Sequence, residues 1–154
     1  MAHVWIDVAA LGLALVAGGM QYLRGIRGLS VVVYETVALA VVLVLATALF
    51  LPLREVSRIP APTCFLLLFV GFALLGILVA TSLSRRHEFG FGGLDYALAM
   101  MPAGLTALIA VRAFLQFLHI LGSPAGSALG VVLQRSWLAQ LLLYAEALRP
   151  VLRP

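Results

Sequence analysis

The sequence predicts an all-α membrane protein with four transmembrane helices and a C-terminal amphipathic helix lying in the membrane interface. Three observations predict it. Of 154 residues, 64% are hydrophobic and only 10% charged, and the mean hydropathy is +1.14. Soluble domains are about 45–50% apolar and about 25% charged, so this chain lacks the polar surface needed to wrap a core in water. The apolar residues fall into four runs, each at least the roughly 20 residues that a helix needs to cross a bilayer. Short connections holding arginine, proline and glycine separate the runs.

The first span covers about residues 4–23, and Ala10, Ala14 and Gly18 repeat along it at four-residue spacing. Small residues at that spacing form a face on which helices approach closely in lipid. Arg24, Gly25, Ile26, Arg27 and Gly28 then make a basic turn, where glycine gives the backbone its freedom. The second span covers about residues 29–51 and carries Glu35 some two turns in. Pro52 is expected to open an aqueous connection that holds Arg54, Glu55 and Arg58 and runs to Pro62.

The third span covers about residues 63–83, with Gly76, Ala80 and Ser84 on one side and Cys64 at its mouth. A lone cysteine excludes an intrachain disulfide and a cysteine-built metal site, and reads as a small buried filler. A polar stretch with Arg85, Arg86, His87 and Glu88 leads through a glycine-rich turn to Asp95. The fourth span covers about residues 95–121. Ala99, Ala103 and Ala107, with Thr106 and Ala110 beside them, give it the longest small-residue face, so it is expected to be the helix the others pack against. Pro102 lacks a backbone N–H and is expected to bend it. The four spans make up a membrane domain over residues 1–122.

Residues 122–126 break the chain, and Ser127 is a favoured N-cap type for a last helix over residues 127–149 that stops at Pro150. Gln134, Arg135, Gln140 and Glu146 make this helix too polar to span comfortably. Leu133, Trp137, Leu141, Tyr144 and Leu148 line one side, the pattern of a helix lying in the interface with Trp137 and Tyr144 as anchors. A fifth span is the alternative. Residues 150–154 form a tail.

The net charge of +4 comes from arginine, since the sequence has no lysine. Without a clustered basic face it suits anionic headgroups better than nucleic acid, so the expected partners are the lipid bilayer and other membrane helices. Arg24, Arg27, Arg85 and Arg86 lie in the first and third connections, which favours those as cytoplasmic and both termini as external.

Val4-Trp5-Ile6-Asp7 near the start, Arg24-Gly25 with a basic residue just after, and Leu94-Asp95 opening the last span resemble the bacterial colicin V production protein (CvpA) family. The run containing Gly76, the glycine-bearing turn and the terminal helix with Trp137 sit where that family has them. In family members a basic residue follows the aspartate, with glycines at four-residue spacing and an Arg-Gly pair further on. Here Tyr96, Ala99, Ala103, Thr106 and Ala107 stand in that stretch, which keeps the small size and loses the charge. The resemblance implies a bacterial inner-membrane protein concerned with colicin V production or export and with envelope stress tolerance. It attaches no catalytic activity. Related four-span units occur fused to periplasmic serine protease domains, which agrees with an external C-terminus.

A charge at the centre of a bilayer costs about 2.5–3.5 kcal/mol on insertion scales, so each needs a partner or a purpose. Asp7 and Arg112 fall in the outer half and are expected to pair. Glu35 or Asp95 is expected to pair with an inner-loop arginine, from among Arg24, Arg27, Arg85 and Arg86. These charges read as ion pairs and caps that fix helix order, with a polar path between helices and contacts reserved for a partner subunit as the other readings. Enzyme signatures are missing: no His-Glu-x-x-His, no Gly-x-Ser-x-Gly, no phosphate loop and no dinucleotide fingerprint. Asp7 and Asp95 are expected on opposite leaflets, which excludes an aspartyl dyad. His87 and His119 have no second ligand at helical spacing, so neither a metal nor a cofactor is expected. The expected function is therefore non-enzymatic. The resemblance implies that the chain acts in toxin export or envelope maintenance, and its small-residue faces suggest helix–helix association with itself or another membrane protein as the mode. An accessory subunit of a larger membrane complex, or a channel or transporter element, is the alternative.

Overall fold

The computed structural model describes residues 2–26, 28–122 and 127–143. They are helical throughout, with no strand among them. The helices are α1 (Ala2–Gly25), α2 (Leu29–Val56), α3 (Ala61–Arg86), α4 (Asp95–Leu98), α5 (Met100–Leu121), α6 (Ala128–Gln134) and α7 (Trp137–Leu143), with a 3₁₀ turn at Gly92–Leu94. Four stretches are long and apolar enough to cross a membrane: Val4–Gly25, Leu29–Val56, Ala61–Arg86 and Gly92–Leu121. This is an all-α, multi-pass membrane architecture. Its outside is as greasy as a bilayer requires: Leu15, Leu23, Val44, Leu67, Leu74 and Leu78 all face outward.

α2 packs most extensively on α3, and α1 on α5, while α2 and α5 touch each other and both remaining spans. α2 and α5 therefore form the short diagonal of the bundle, with α1 and α3 at its far corners. Gly25 meets Ala99, Gly18 meets Ala103 and Ala107, and Ala10 shares a buried cluster with Val111 and Leu115. Residue numbers rise on α1 as they fall on α5, so the two are antiparallel and Ala2 lies at the level of Leu121. A Cβ on Gly25 would come within 2.7 Å of the Ala99 Cβ, and one on Gly18 within 3.2 Å of the Ala107 Cβ. Only glycine permits this approach. The same device joins α2 to α3, where a Cβ on Gly76 would sit 3.2 Å from Val42 Cγ2 and 3.4 Å from the Ala38 Cβ. At the end where α2 stops and α3 begins, Cys64 and Phe65 of α3 pack into Ala46 and Phe50 of α2, with the Phe50 and Phe65 rings edge to face at 6.0 Å.

Three boundaries differ from the sequence reading, each for a local reason. α2 runs past Pro52 to Val56. Proline fixes φ near the helical value, so it costs one backbone bond, and Ser57 N–H closes the last turn on Leu53 O at 2.8 Å. The fourth span is broken at Ala99, between α4 and α5. Pro102 cannot donate to Leu98 O, and the helix restarts two residues beyond that carbonyl, at Met100.

The terminal helix expected over 127–149 is two short helices, broken at Arg135–Ser136, and residues from 144 on lie outside the described part. Several of its apolar residues turn toward the bundle. Leu133, Leu138 and Ala139 are buried in one cluster with Ala10, Val111 and Leu115. In an unbroken helix Leu133 and Leu138 would point about 140° apart, at 100° per residue. The break at Ser136 lets both face the bundle. It also separates the predicted stripe, since Leu133 is buried while Trp137 (66% exposed) and Leu141 face outward. Tyr144 and Leu148 lie outside the described residues.

Candidate functional site: polar contacts at the two ends of the bundle

Polar groups that are buried in the bundle gather into three places. The first is at the end where α1 stops and α2 begins. Arg24 sits in the last turn of α1 and Glu35 six residues into α2, so the short turn between them brings the two side chains together. Arg24 Nη2 lies 2.7 Å from Glu35 Oε1, and Gln21 Nε2 donates to Glu35 Oε2 at 3.2 Å. Glu35 is almost wholly buried, while half of the Arg24 side chain remains exposed. Both carboxylate oxygens thus have donors, as a buried charge requires. Between Glu35 and Asp95, it is Glu35 that takes the arginine. Arg27, the other arginine of that turn, lies outside the described residues.

Asp95 turns the other way. Its Oδ1 accepts the Phe91 N–H at 2.7 Å, and a Cβ on Gly90 would meet its Oδ2 at 3.1 Å. The carboxylate ties down the turn before α4, where Gly92 takes φ +65°, a left-handed conformation that favours glycine. Tyr34 and Phe89, edge to face at 6.2 Å, hold the same turn against α2.

The second place is in mid-bundle. Thr36 of α2 hydrogen-bonds Thr106 of α5 hydroxyl to hydroxyl at 2.9 Å, with its Oγ1 also 3.3 Å from Pro102 O. Both threonines are buried. Sequence reasoning placed Thr106 on the small-residue face and passed over Thr36. A threonine next to Glu35, in a span made mostly of Val, Leu and Ala, was the available signal.

The third place is around α7. Asp7 and Arg112 do not pair with each other; among the described residues the ion pair is Arg24–Glu35. Asp7 Oδ1 accepts from Ser136 Oγ at 2.6 Å and from Leu138 N at 3.3 Å, and Ser136 Oγ accepts from Ala139 N at 3.1 Å. Arg112 Nη1 donates to Leu142 O at 3.2 Å. The two charges therefore hold α7 at two points, the anion at its N-terminus, where a helix dipole favours it, and the cation on the Leu142 carbonyl. α7 supplies each with a counterpart, which is why neither needs the other. Arg112 lies nine residues before the end of α5, roughly 13 Å down the helix at 1.5 Å per residue, so α7 packs back along the bundle, with Asp7, Ser136 and Arg112 meeting polar groups of its backbone. Ser127 performs the N-cap role expected of it for α6, accepting from Gly130 N at 3.1 Å, and its hydroxyl donates to Gly122 O.

No family profile, curated protein or solved structure matches this chain. The residues quoted for the CvpA resemblance thus stand on their own positions. Asp7 anchors α7, Arg24 binds Glu35, and Asp95 holds the turn that opens the last span. Among the described residues no group of three or more His, Cys, Asp or Glu side chains is placed to hold a metal ion.

Proposed function

We propose that the chain is a non-catalytic bacterial inner-membrane protein of the colicin V production type. It works in toxin production or export or in envelope upkeep, by associating in the bilayer with itself or another membrane protein. One observation carries this reading: the ionisable groups within the spans are spent on the protein's own architecture. Glu35 is matched by Arg24 and Gln21, Asp7 and Arg112 by the two ends of α7. Between these ends Gly18, Ala103 and Ala107 are in contact, which speaks against a polar path linking Asp7 to Glu35 and Asp95. The channel or transporter alternative needs such a path.

The small-residue faces are used within the chain, Gly18 and Gly25 on α5 and Gly76 on α2. A partner would meet the outward apolar surface instead, including Trp137. The accessory-subunit reading uses the same surface. Extraction in a mild detergent followed by intact-mass measurement tests the proposal. A stoichiometric partner or a defined homo-oligomer is the expected result. A monomer that conducts protons or ions when reconstituted alone would overturn it.

A further inference from the structure

Beyond that reading, we propose that the first turn of α2 is a binding site for a phosphate group, carried by a lipid headgroup or free in solution. The first N–H groups of a helix have no partner within it, and together they present the positive end of its dipole. A side chain on the residue before the helix usually meets one of them. Here that residue is Gly28, which has an extended backbone and no side chain to offer. The sides of the turn are packed into the bundle, with Leu29 and Ser30 each 4% exposed and Val32 fully buried. The space in front of it is open, since a Cβ built on Gly28 would meet only Val31 Cγ2, at 3.7 Å. A buried helix end without a cap is an unmet demand for an acceptor.

Ser30 asks for the same ligand. It is more than nine-tenths buried, yet its hydroxyl makes no hydrogen bond to any described residue. The other buried polar side chains among them, Gln21, Glu35, Thr36, Ser84, Thr106 and Ser136, all have hydrogen-bond partners. The Ser30 oxygen is not sealed off either, Ser57 Oγ being the fully enclosed oxygen without a partner. Side chains on a helix lean toward its N-terminus, so Ser30, the second residue of α2, holds its hydroxyl level with the free N–H groups. Amide N–H groups and a hydroxyl that converge at the positive end of a 28-residue helix are the donor set that phosphate takes. Glu35, the acidic residue of α2 nearest this end, is already held by Arg24 and Gln21. The turn is left to an anion from outside.

The test is native mass spectrometry of the full chain, delipidated in mild detergent. It is then offered equal amounts of phosphatidylglycerol and a diacylglycerol with the same acyl chains. The phosphate-bearing lipid should be retained in preference. Ser30→Ala removes one hydrogen bond to a charged group, so that preference should fall about tenfold. Gly28→Asp is the sharper variant. Aspartate is a favoured N-cap, the extended backbone and open space at Gly28 admit it, and its carboxylate would take the donors itself. The preference should vanish while the lipid-free protein melts no lower than the parent, which separates lost binding from lost folding. Ser30→Ala, the smaller change, keeps the test open if Gly28→Asp does not fold. Millimolar inorganic phosphate tells the two sources apart: it displaces the lipid if free phosphate fills the site, and leaves it bound if the headgroup does. Equal retention of the two lipids by the native chain overturns the proposal. So does a parental preference in Ser30→Ala or in Gly28→Asp.

Discussion

Arg24 and Glu35 illustrate how little freedom a charge has in this bundle. Glu35 is sealed from solvent, and Gln21 alone could satisfy only one of its oxygens. Arg24→Gln should therefore destabilise the protein more than Arg85→Gln, whose arginine is exposed and makes no ion pair among the described residues. Leaving a buried acceptor short of its partner costs about 1–3 kcal/mol, and the half-exposed Arg24 places this case toward the lower end. Glu35→Gln should cost less than Glu35→Ala, because the amide still offers an oxygen to Gln21 and Arg24. Unfolding of the four proteins by titration with a denaturing detergent checks the ranking. Equal midpoints for Arg24→Gln and Arg85→Gln would show that the pair contributes nothing. That an acid and an arginine would meet here was readable from the short turn between two apolar runs. Which acid was not, since Asp95 lies at an equivalent depth, and only the backbone of the glycine turn shows that its carboxylate is taken by Phe91 N–H.

At the scale of elements, α1 and α5 are held by shape and α7 by its termini. Gly25→Ala inserts a methyl group 2.7 Å from the Ala99 Cβ and must push the helices apart. Overpacking of this kind costs about 1–3 kcal/mol, and adding Ala99→Gly should restore most of it. No recovery in the double variant, measured by thermal melting in detergent, would place the cost elsewhere. For α7, Asp7→Ala removes a capping acceptor, a loss worth about 0.5–2 kcal/mol. Hydrogen exchange in residues 137–143 should rise in Asp7→Ala, and in Arg112→Ala toward the Leu142 end. Asp7→Asn keeps an oxygen for Ser136 and Leu138 and should change exchange little. A protein in which Asp7 and Arg112 bonded directly would lose the same stability with Asn as with Ala.

The spans were legible because their signal is additive over twenty-odd residues, and the faces of Gly18, Gly76, Ala99, Ala103 and Ala107 because small size has one meaning in lipid. The terminal segment was misread because periodicity assumes an unbroken helix. Of the two residues at the break, Arg135 and Ser136, Ser136 gains from a hydrogen bond to Asp7, 129 positions away in sequence.

For the molecule as a whole, the register of α1 on α5 puts Ala2 and Leu121 at one end, with the connection 57–60 there and the connections at 26–28 and 87–91 at the other. Arg24, Arg85 and Arg86 cluster at the second end, against Arg54 and Arg58 at the first. If short basic connections are retained in the cytoplasm, the end holding Arg24, Arg85 and Arg86 faces inward, and α7 belongs to the outer leaflet. The chain offers a clean probe of this, because its single cysteine, Cys64, is buried. In a Cys64→Ala background, Arg58→Cys in intact spheroplasts should react with a membrane-impermeant maleimide. His87→Cys should react only after permeabilisation. The opposite pattern would turn the bundle over, carrying Arg54 to the cytoplasmic leaflet while leaving every helix contact as it is. Arg85→Glu with Arg86→Glu adds a second check. Removing two of the three described arginines at that end leaves the balance to Arg54 and Arg58, so a mixed labelling pattern is expected if charge sets orientation. A pattern unchanged from the parent would mean that the outer-end fold of α6 and α7, and not the arginine count, decides which way the protein sits.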